Sequence, residues 1–288
     1  MHNESTRAEI LIEALPYIRQ HRNRVVVIKY GGAAMKNSEL MSAVLCDTFL
    51  LSLVGIKIVL VHGGGPEIDE LAGKLELGKK KVGGFRYTTP EIMELVQMTL
   101  CGKINKNLVA GLTRLGGKAI GLSGIDGAIL SAEELSADGT DYGGRVGNIT
   151  DVNAELLQTS LDNGYIPVVS SVALGVDREC NYNVNADTAA ARIAYALKAE
   201  KLILLTDVKG LLKNPADENT LISKVSLSEI PGLIKDGIIS GGMIPKIDCA
   251  VEAVRRGVNE AVILDGRAAH SILIELLSDS GAGTMISR

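Results

Sequence analysis

The chain has 288 residues, of which 46% are hydrophobic and 22% charged, a balance ordinary for a soluble globular protein and long enough for one large α/β domain or two lobes. A formal net charge of −4 with Lys79-Lys80-Lys81 as its basic cluster, read as a solvated loop or helix end, gives no basic face and so no nucleic-acid partner. Cys46, Cys101, Cys180 and Cys249 stand far apart without a C-x-x-C pair, which argues for free thiols rather than a disulfide framework or metal site; no signal-like or membrane-spanning apolar run is seen, so a cytoplasmic protein without a membrane partner is expected.

Residues 5–21 predict an amphipathic helix, with Ala8, Leu11, Leu15 and Ile18 on one face, a Thr6-x-x-Glu9 capping box and a kink at Pro16. It reads equally as a helix folded onto its own domain or one docked on another subunit. Residues 24–30 form an apolar, β-branched run and predict a buried strand. A helix over 38–53 and a strand over 56–62 follow, and Pro66 then takes a first helical position. A long helical region follows Pro90. Short strands are predicted over 118–123 and 128–132, a glycine-rich hairpin or loop over 141–147, and a helix over 152–163. A strand over 165–171, an alanine-rich helix over 185–197 and a strand over 201–206 come next. Helices over 226–235, 245–256 and 268–277, with a strand over 260–264, complete the chain. This alternation predicts a mainly parallel sheet with helices on both faces and ligands beyond the strands' carboxyl ends, where Lys29, His62, Ser170 and Asp207 fall.

Three stretches look built for phosphate. Lys29-Tyr30-Gly31-Gly32 follows one apolar strand, and His62-Gly63-Gly64-Gly65-Pro66 follows another. Gly241-Gly242-Met243-Ile244-Pro245-Lys246 lies far down the chain. A strand, a glycine turn and a helix start aim backbone N–H groups and a helix dipole at one point. Two lysines there provide more positive charge than one phosphate needs, which suggests two anions brought together. The P-loop pattern is absent, because each of four Gly-Lys pairs is followed by Leu, Lys, Ile or Ala; G-x-G-x-x-G and the protein-kinase signatures are absent too.

The segments 26–32 and 59–66, together with Asn183-Val184-Asn185-Ala186-Asp187, 204–208 and 241–246, resemble in order the amino acid kinase superfamily. Within it they resemble the acetylglutamate kinase family, and the leading helix resembles that of its arginine-inhibited branch. The resemblance implies a three-layer αβα sandwich around a mainly parallel open sheet. It divides the chain into an oligomerisation helix (1–23), an acceptor lobe (24–198) and a nucleotide lobe (199–288). It implies phosphorylation of the side-chain carboxylate of N-acetyl-L-glutamate by ATP with Mg²⁺, in arginine biosynthesis. Such a carboxyl has a pKa of about 4.3, so the nucleophile needs no general base, and catalysis reduces to positioning and charge neutralisation.

By the same resemblance Lys29 bridges the transferred phosphoryl group, and Lys246 stabilises the leaving side of ATP. Gly32 and Gly65, beside Gly31 and Gly64, donate to phosphoryl oxygens. Asp187 holds both lysines; the bland alternative makes it a helix cap. Arg86 grips a substrate carboxylate, and Asn183 holds the acceptor, with Asn185 a weaker match. Thr206, Asp207 and Lys209 fall where the family forms its nucleotide pocket, and no protein ligand for Mg²⁺ is expected. His62 reads as a structural histidine orienting its loop, since no proton transfer is demanded. The Gly-Phe-Arg-Tyr around Arg86 departs from the family's usual Asn-Gly turn and following valine.

The resemblance further implies L-arginine as an inhibitor, with Tyr17, His270 and Glu275 lining its site, and a homo-hexamer built as a trimer of dimers through the leading helix. Some relatives bind a nitrogen-sensing signal protein. Other readings are a sibling kinase acting on aspartate, glutamate, carbamate or uridylate, or a non-catalytic nucleotide or metabolite sensor.

Overall fold

A computed structural model describes residues 4–32, 35, 37–136, 139–214, 216–279 and 281–288. Helix α1 (Glu4–His21) starts ahead of Thr6, which therefore lies inside the helix rather than capping it, and runs on through Pro16. Strand β1 (Val25–Tyr30) is buried almost throughout, and α2 (Ser38–Leu53) begins where the Asn37 side chain accepts from the amides of Glu39 and Leu40. Then come β2 (Lys57–His62), α3 (Gly65–Lys74) and a hairpin of β3 (Lys81–Val82) and β4 (Phe85–Arg86). The long helix after Pro90 is three pieces: α4 (Pro90–Gln97), a π-helical stretch Met98–Ile104, and α5 (Asn105–Arg114).

Strands β5 (Ala119–Ser123), β6 (Leu130–Glu134) and β7 (Gly147–Val152) precede α6 (Glu155–Asp162). That helix is shorter than predicted because β7 takes up residue 152. Strands β8 (Ile166–Ser170), β9 (Val172–Gly175) and β10 (Asn181–Asn183) lead to α7 (Ala186–Ala196) and β11 (Lys201–Thr206). The predicted helix over 226–235 is corrected at its start: Ser226 ends strand β12 (Lys224–Ser226), and α8 spans only Ile230–Lys235. Glu229 Oε2 accepts from both the amide and the hydroxyl of Ser226, and this turn separates strand from helix. The chain closes with α9 (Ile244–Arg255), β13 (Glu260–Asp265), α10 (Ser271–Leu277) and β14 (Thr284–Ser287). Helix α10 starts later than predicted because His270 adopts a left-handed conformation, φ 61°.

Eight strands form one sheet in the order β12-β14-β13-β11-β1-β2-β8-β5, parallel except where β13 meets β14. Alternate residues of a strand face opposite layers. Val27, Val59, Val61, Leu202 and Leu204 pack with α6, α7 and α9, whereas Val26, Ile28, Ile58, Leu60, Ile203 and Leu205 pack with α2, α4, α5 and α10. The three-layer αβα sandwich is thus present. A smaller sheet, β10-β9-β6-β7, stands beside it. From β1 the chain proceeds to β2 on one side, while β11 is laid down on the other, so strand order reverses at the end of β1, the position where such sheets bind ligands. Among the described residues no helix is long and apolar enough to cross a membrane.

Candidate active site

A cleft of about 420 Å³ opens at that reversal. Its wall includes Lys29, Gly31 and Gly32 after β1, and Gly63, Gly64 and Gly65 after β2. The first turns of three helices reach it: Gly65 and Pro66 of α3, Ala186 and Asp187 of α7, and Lys246 of α9. The first amides of a helix lack intrahelical acceptors and carry the positive dipole end, so three such ends around one cleft suit a polyanion. Among the described residues, lysines 29, 81 and 246 and Arg86 line it against a single carboxylate, Asp187.

Asp187 organises the charge. Lys29 Nζ lies 2.9 Å from its Oδ1 and Lys246 Nζ 3.4 Å from its Oδ2. Each carboxylate oxygen thus has one ammonium group as its partner. Burial alone would push this carboxyl's pKa up; the two ammonium groups outweigh it and hold the group below its ordinary value. Asp187 is not the cap of α7. That place belongs to Asn185, whose Oδ1 accepts from Asp187 N at 2.8 Å and Thr188 N at 3.1 Å. Both features were in the sequence, and the structure assigns the cap to the neighbour.

The glycines have separate reasons. Gly32 has φ 74°, a conformation L side chains rarely adopt. At Gly64 an added Cβ would collide with Ile104 and come within 2.8 Å of Leu100, so the turn needs a bare Cα to sit against the π-helical stretch. His62 behind it is fully buried, and its pKa falls to about 4, chiefly by burial. A neutral histidine fits a structural role in the loop.

Arg86, on β4, pairs with Asp69 and donates from Nη2 to Gly65 O at 2.9 Å. Asp69 and Gly65 are four apart on α3 and share a face, so the arginine is anchored to the helix that follows the glycine turn. Burial raises the Asp69 pKa, but the Arg86 guanidinium prevails and lowers it. Asn183 Nδ2 donates to Thr88 Oγ1 at 3.2 Å, and Thr88 Oγ1 donates to Arg86 O at 2.8 Å, tying the two expected acceptor residues together through a buried threonine.

The cleft therefore brings together Lys29, Gly31, Gly32, Gly64, Gly65, Arg86, Asn183, Asp187 and Lys246. Thr206, Asp207 and Lys209 do not line it. Thr206 Oγ1 is engaged with the backbone of Val208 and Leu264, and Lys209 pairs with Glu218 at 3.5 Å. Sequence reasoning missed Lys81, Asp69 and Thr88. Asp69 had a signal, its i+4 spacing from Gly65, whereas Lys81, read as solvated, is exposed and also lines the cleft.

A second cavity, about 280 Å³, lies beneath α1 and contains Tyr17, His21, Lys201, Glu260, Glu275 and Asp279. Glu275 is buried there, accepting from Lys201 Nζ at 3.1 Å and from Ala282 N at 2.9 Å. His270 is not among its lining residues; its Nδ1 lies 2.6 Å from Asp47 Oδ1. The three expected effector residues are thus split, Tyr17 with Glu275 and His270 elsewhere.

An αβα sandwich with glycine turns and paired lysines at its switch point defines a phosphoryl-transfer enzyme of the amino acid kinase class, and the chain belongs to that family: residues 24–265 match the family's model, "Amino acid kinase family". Within the family it is 55% identical over 286 residues to the acetylglutamate kinase of Clostridium beijerinckii, covering 99% of this chain and all of that one. Among solved structures, N-acetylglutamate synthase from Neisseria gonorrhoeae with coenzyme A and N-acetyl-glutamate superposes with TM-score 0.84 at 28% identity, covering 98% of this chain. The chain spans 63% of that synthase's length. The same synthase with coenzyme A and L-arginine gives TM-score 0.75, covering 97% of this chain and 65% of the synthase, again at 28% identity. Carbamate kinase from Giardia lamblia bound to AMP-PNP, 17% identical with TM-score 0.68 over 92% of this chain and 99% of that one, shares the fold.

Proposed function

We propose that this chain transfers the γ-phosphoryl group of ATP to the side-chain carboxylate of N-acetyl-L-glutamate, giving the acyl phosphate. The observation that carries the reading is the Lys29–Asp187–Lys246 cluster facing two glycine turns, in a chain whose full-length relatives are acetylglutamate kinases. The acceptor carboxylate, with a pKa of about 4.3, is ionised at neutral pH and must approach an anionic phosphate chain. Lys29, next to Gly31 and Gly32, neutralises the group in flight. Lys246, from the opposite side of Asp187, neutralises charge on the leaving oxygens. Asp187 keeps the ammonium groups from repelling one another and sets their separation. The amides of the Gly63–Gly65 turn supply fixed donors that need no reorganisation during transfer.

Arg86 holds a carboxylate of the acceptor with the N–H donors that Asp69 and Gly65 O leave over, and Asn183 holds the acceptor's amide. In this arrangement residues 24–198 carry the acceptor and 199–288 the nucleotide, with Thr206, Asp207 and Lys209 in the nucleotide pocket. Among the described residues no group of three His, Cys, Asp or Glu could hold a metal, and the cleft carboxylate is committed to two lysines. Mg²⁺, when bound with ATP, would supply further positive charge against the phosphates, beside that of Lys29 and Lys246. Sibling kinases and a silent sensor are less favoured, since relatives at 50–55% identity are acetylglutamate kinases and both lysines are in place.

The cavity under α1 supports a second element, an effector site for L-arginine. Glu200, Glu260, Glu275 and Asp279 give it an acidic wall suited to a guanidinium, and the solved synthase was crystallised with L-arginine. The outward face of α1, with Leu11 71% and Leu15 52% exposed, supports docking on a second copy and assembly into a hexamer. A cytoplasmic site of action and docking of a nitrogen-sensing signal protein belong to the same reading. The test is acyl-phosphate formation with and without L-arginine; turnover with a different acceptor would move the chain to a sibling activity.

A further inference from the structure

We infer that Asn105 is a positioning residue that acts through His62, fixing the imidazole as the Nδ1–H tautomer so that this N–H ties down the carbonyl of Gly63 at the head of the glycine turn. Its kinetic consequence rests on the phosphoryl-transfer reading above; its geometry does not.

The tautomer follows from two carbonyls. Asn105 Nδ2 lies 2.8 Å from Val168 O and 3.0 Å from Leu122 O. A backbone carbonyl only accepts, so the group facing these oxygens is the amide NH₂. The same nitrogen lies 3.2 Å from His62 Nε2, the longest of three contacts shared by two hydrogens; an amide nitrogen does not accept, so an N–H on Nε2 would face the NH₂ without a partner, and Nε2 carries its lone pair instead. A neutral imidazole has one N–H, and it falls on Nδ1, 3.0 Å from Gly63 O. A cationic ring would set an N–H against the amide NH₂. Burial disfavours the cation as well, and nearby Lys106 acts in the same direction.

The surroundings are shaped for this contact. Asn105 is the residue directly after the π-helical stretch Met98–Ile104, the register break that ends one helix and starts another. Leu100 and Ile104 of the same stretch press on the bare Cα of Gly64. Gly121 leaves the space for the amide: an added Cβ would overlap Asn105 Oδ1 and come within 2.6 Å of Lys106 Nζ. One segment thus supports the turn by packing and fixes its leading carbonyl by a two-step hydrogen-bond relay. Turning that carbonyl would turn the next amide, which belongs to Gly64 in the phosphate cradle.

The experiment uses the full chain with ¹⁵N-labelled histidine, studied by magic-angle-spinning NMR at pH 7. There are four histidines, and His62 is assigned by its loss in His62→Gln. The inference expects a protonated Nδ1 and a pyridine-type Nε2 for His62 in the wild type, and a tautomer mixture in Asn105→Leu. Kinetically, Asn105→Leu and His62→Gln should lower kcat by about tenfold or more, with both KM values within about threefold, because the donors affected act on the transferring group. His62→Asn, whose amide replaces the Nδ1 side of the ring, should retain more kcat than His62→Gln, whose amide replaces the Nε2 side. A wild-type His62 protonated on Nε2 overturns the inference, as does a folded Asn105→Leu with wild-type kcat. If a variant fails to fold, the wild-type spectrum still decides. A wild type without kinase activity would overturn the functional reading and leave the tautomer result standing.

Discussion

Lys246 reaches back across 59 residues of chain to Asp187, which it meets at 3.4 Å on the carboxylate oxygen not used by Lys29. The pairing joins the first turn of α9 to the first turn of α7 and places one cation on each side of a single carboxylate. Each ammonium group keeps N–H donors for a second anion.

Lys29→Ala should lower kcat by about 10²–10³-fold, the scale of removing a preorganised transition-state donor, while KM for acetylglutamate changes little. Steady-state kinetics over both substrates check this. A large rise in acceptor KM with unchanged kcat would reassign Lys29 to ground-state binding.

Arg86→Ala should show the opposite split. Its guanidinium is anchored by Asp69 and Gly65 O, so the predicted loss is of acceptor binding, raising KM by roughly 10–100-fold for a lost charge-assisted contact of about 1.5–3 kcal/mol. Asp69→Asn should give a smaller rise in the same constant. If kcat carried the whole effect, the roles of Arg86 and Lys29 would be exchanged.

How much of this was visible beforehand depends on the range of the interaction. Residues 25–28 and 58–61 are unbroken apolar runs, each followed within three residues by glycine, so strands, turns and the phosphate site could be read locally. The small sheet could not: β9 and β10 have four and three residues, too few for a period to show. The start of α8 was misplaced because Ser226 pairs with β14, a contact from far along the chain. Asn105 meets His62 across 43 residues and carries no local mark beyond the π-helical break that only the backbone reveals. His270 looked like an effector ligand by resemblance, but its left-handed backbone and Asp47 hold it outside the cavity that contains Tyr17 and Glu275.

Acid should destabilise the fold in two successive windows. The pKa of His62 is lowered from 6.5 to about 4, so between those values the unfolded chain binds a proton that the folded chain does not. Its contribution is complete above about pH 6.5 and is lost as pH falls through 4, roughly 3 kcal/mol in all. The lowered pKa of Asp187 adds a loss below the ordinary carboxylate range. Urea unfolding of His62→Gln from pH 7 to pH 4 should show a shallower decline than wild type; parallel curves would contradict the assignment.

Deleting residues 1–23 should give an active, smaller and arginine-insensitive enzyme, because α1 carries both the exposed Leu11 and Leu15 and one wall of the second cavity. Light scattering and inhibition curves read the two properties separately. A truncated form with unchanged mass and inhibition would remove α1 from both roles.

Gly64→Ala should cost about 1–3 kcal/mol by overpacking against Leu100 and Ile104, and should lower kcat by displacing the turn. Thermal unfolding and kinetics of the variant measure both; a stable variant of full activity would show that the π-helical stretch does not brace the cradle.

The most direct measurement is ATP- and Mg²⁺-dependent acyl-phosphate formation trapped with hydroxylamine, comparing N-acetyl-L-glutamate with aspartate, glutamate and carbamate. The account predicts hydroxamate with acetylglutamate alone, lost in Lys29→Ala. Equal or greater turnover with another acceptor, or none with acetylglutamate in a folded sample that binds ATP, would contradict it.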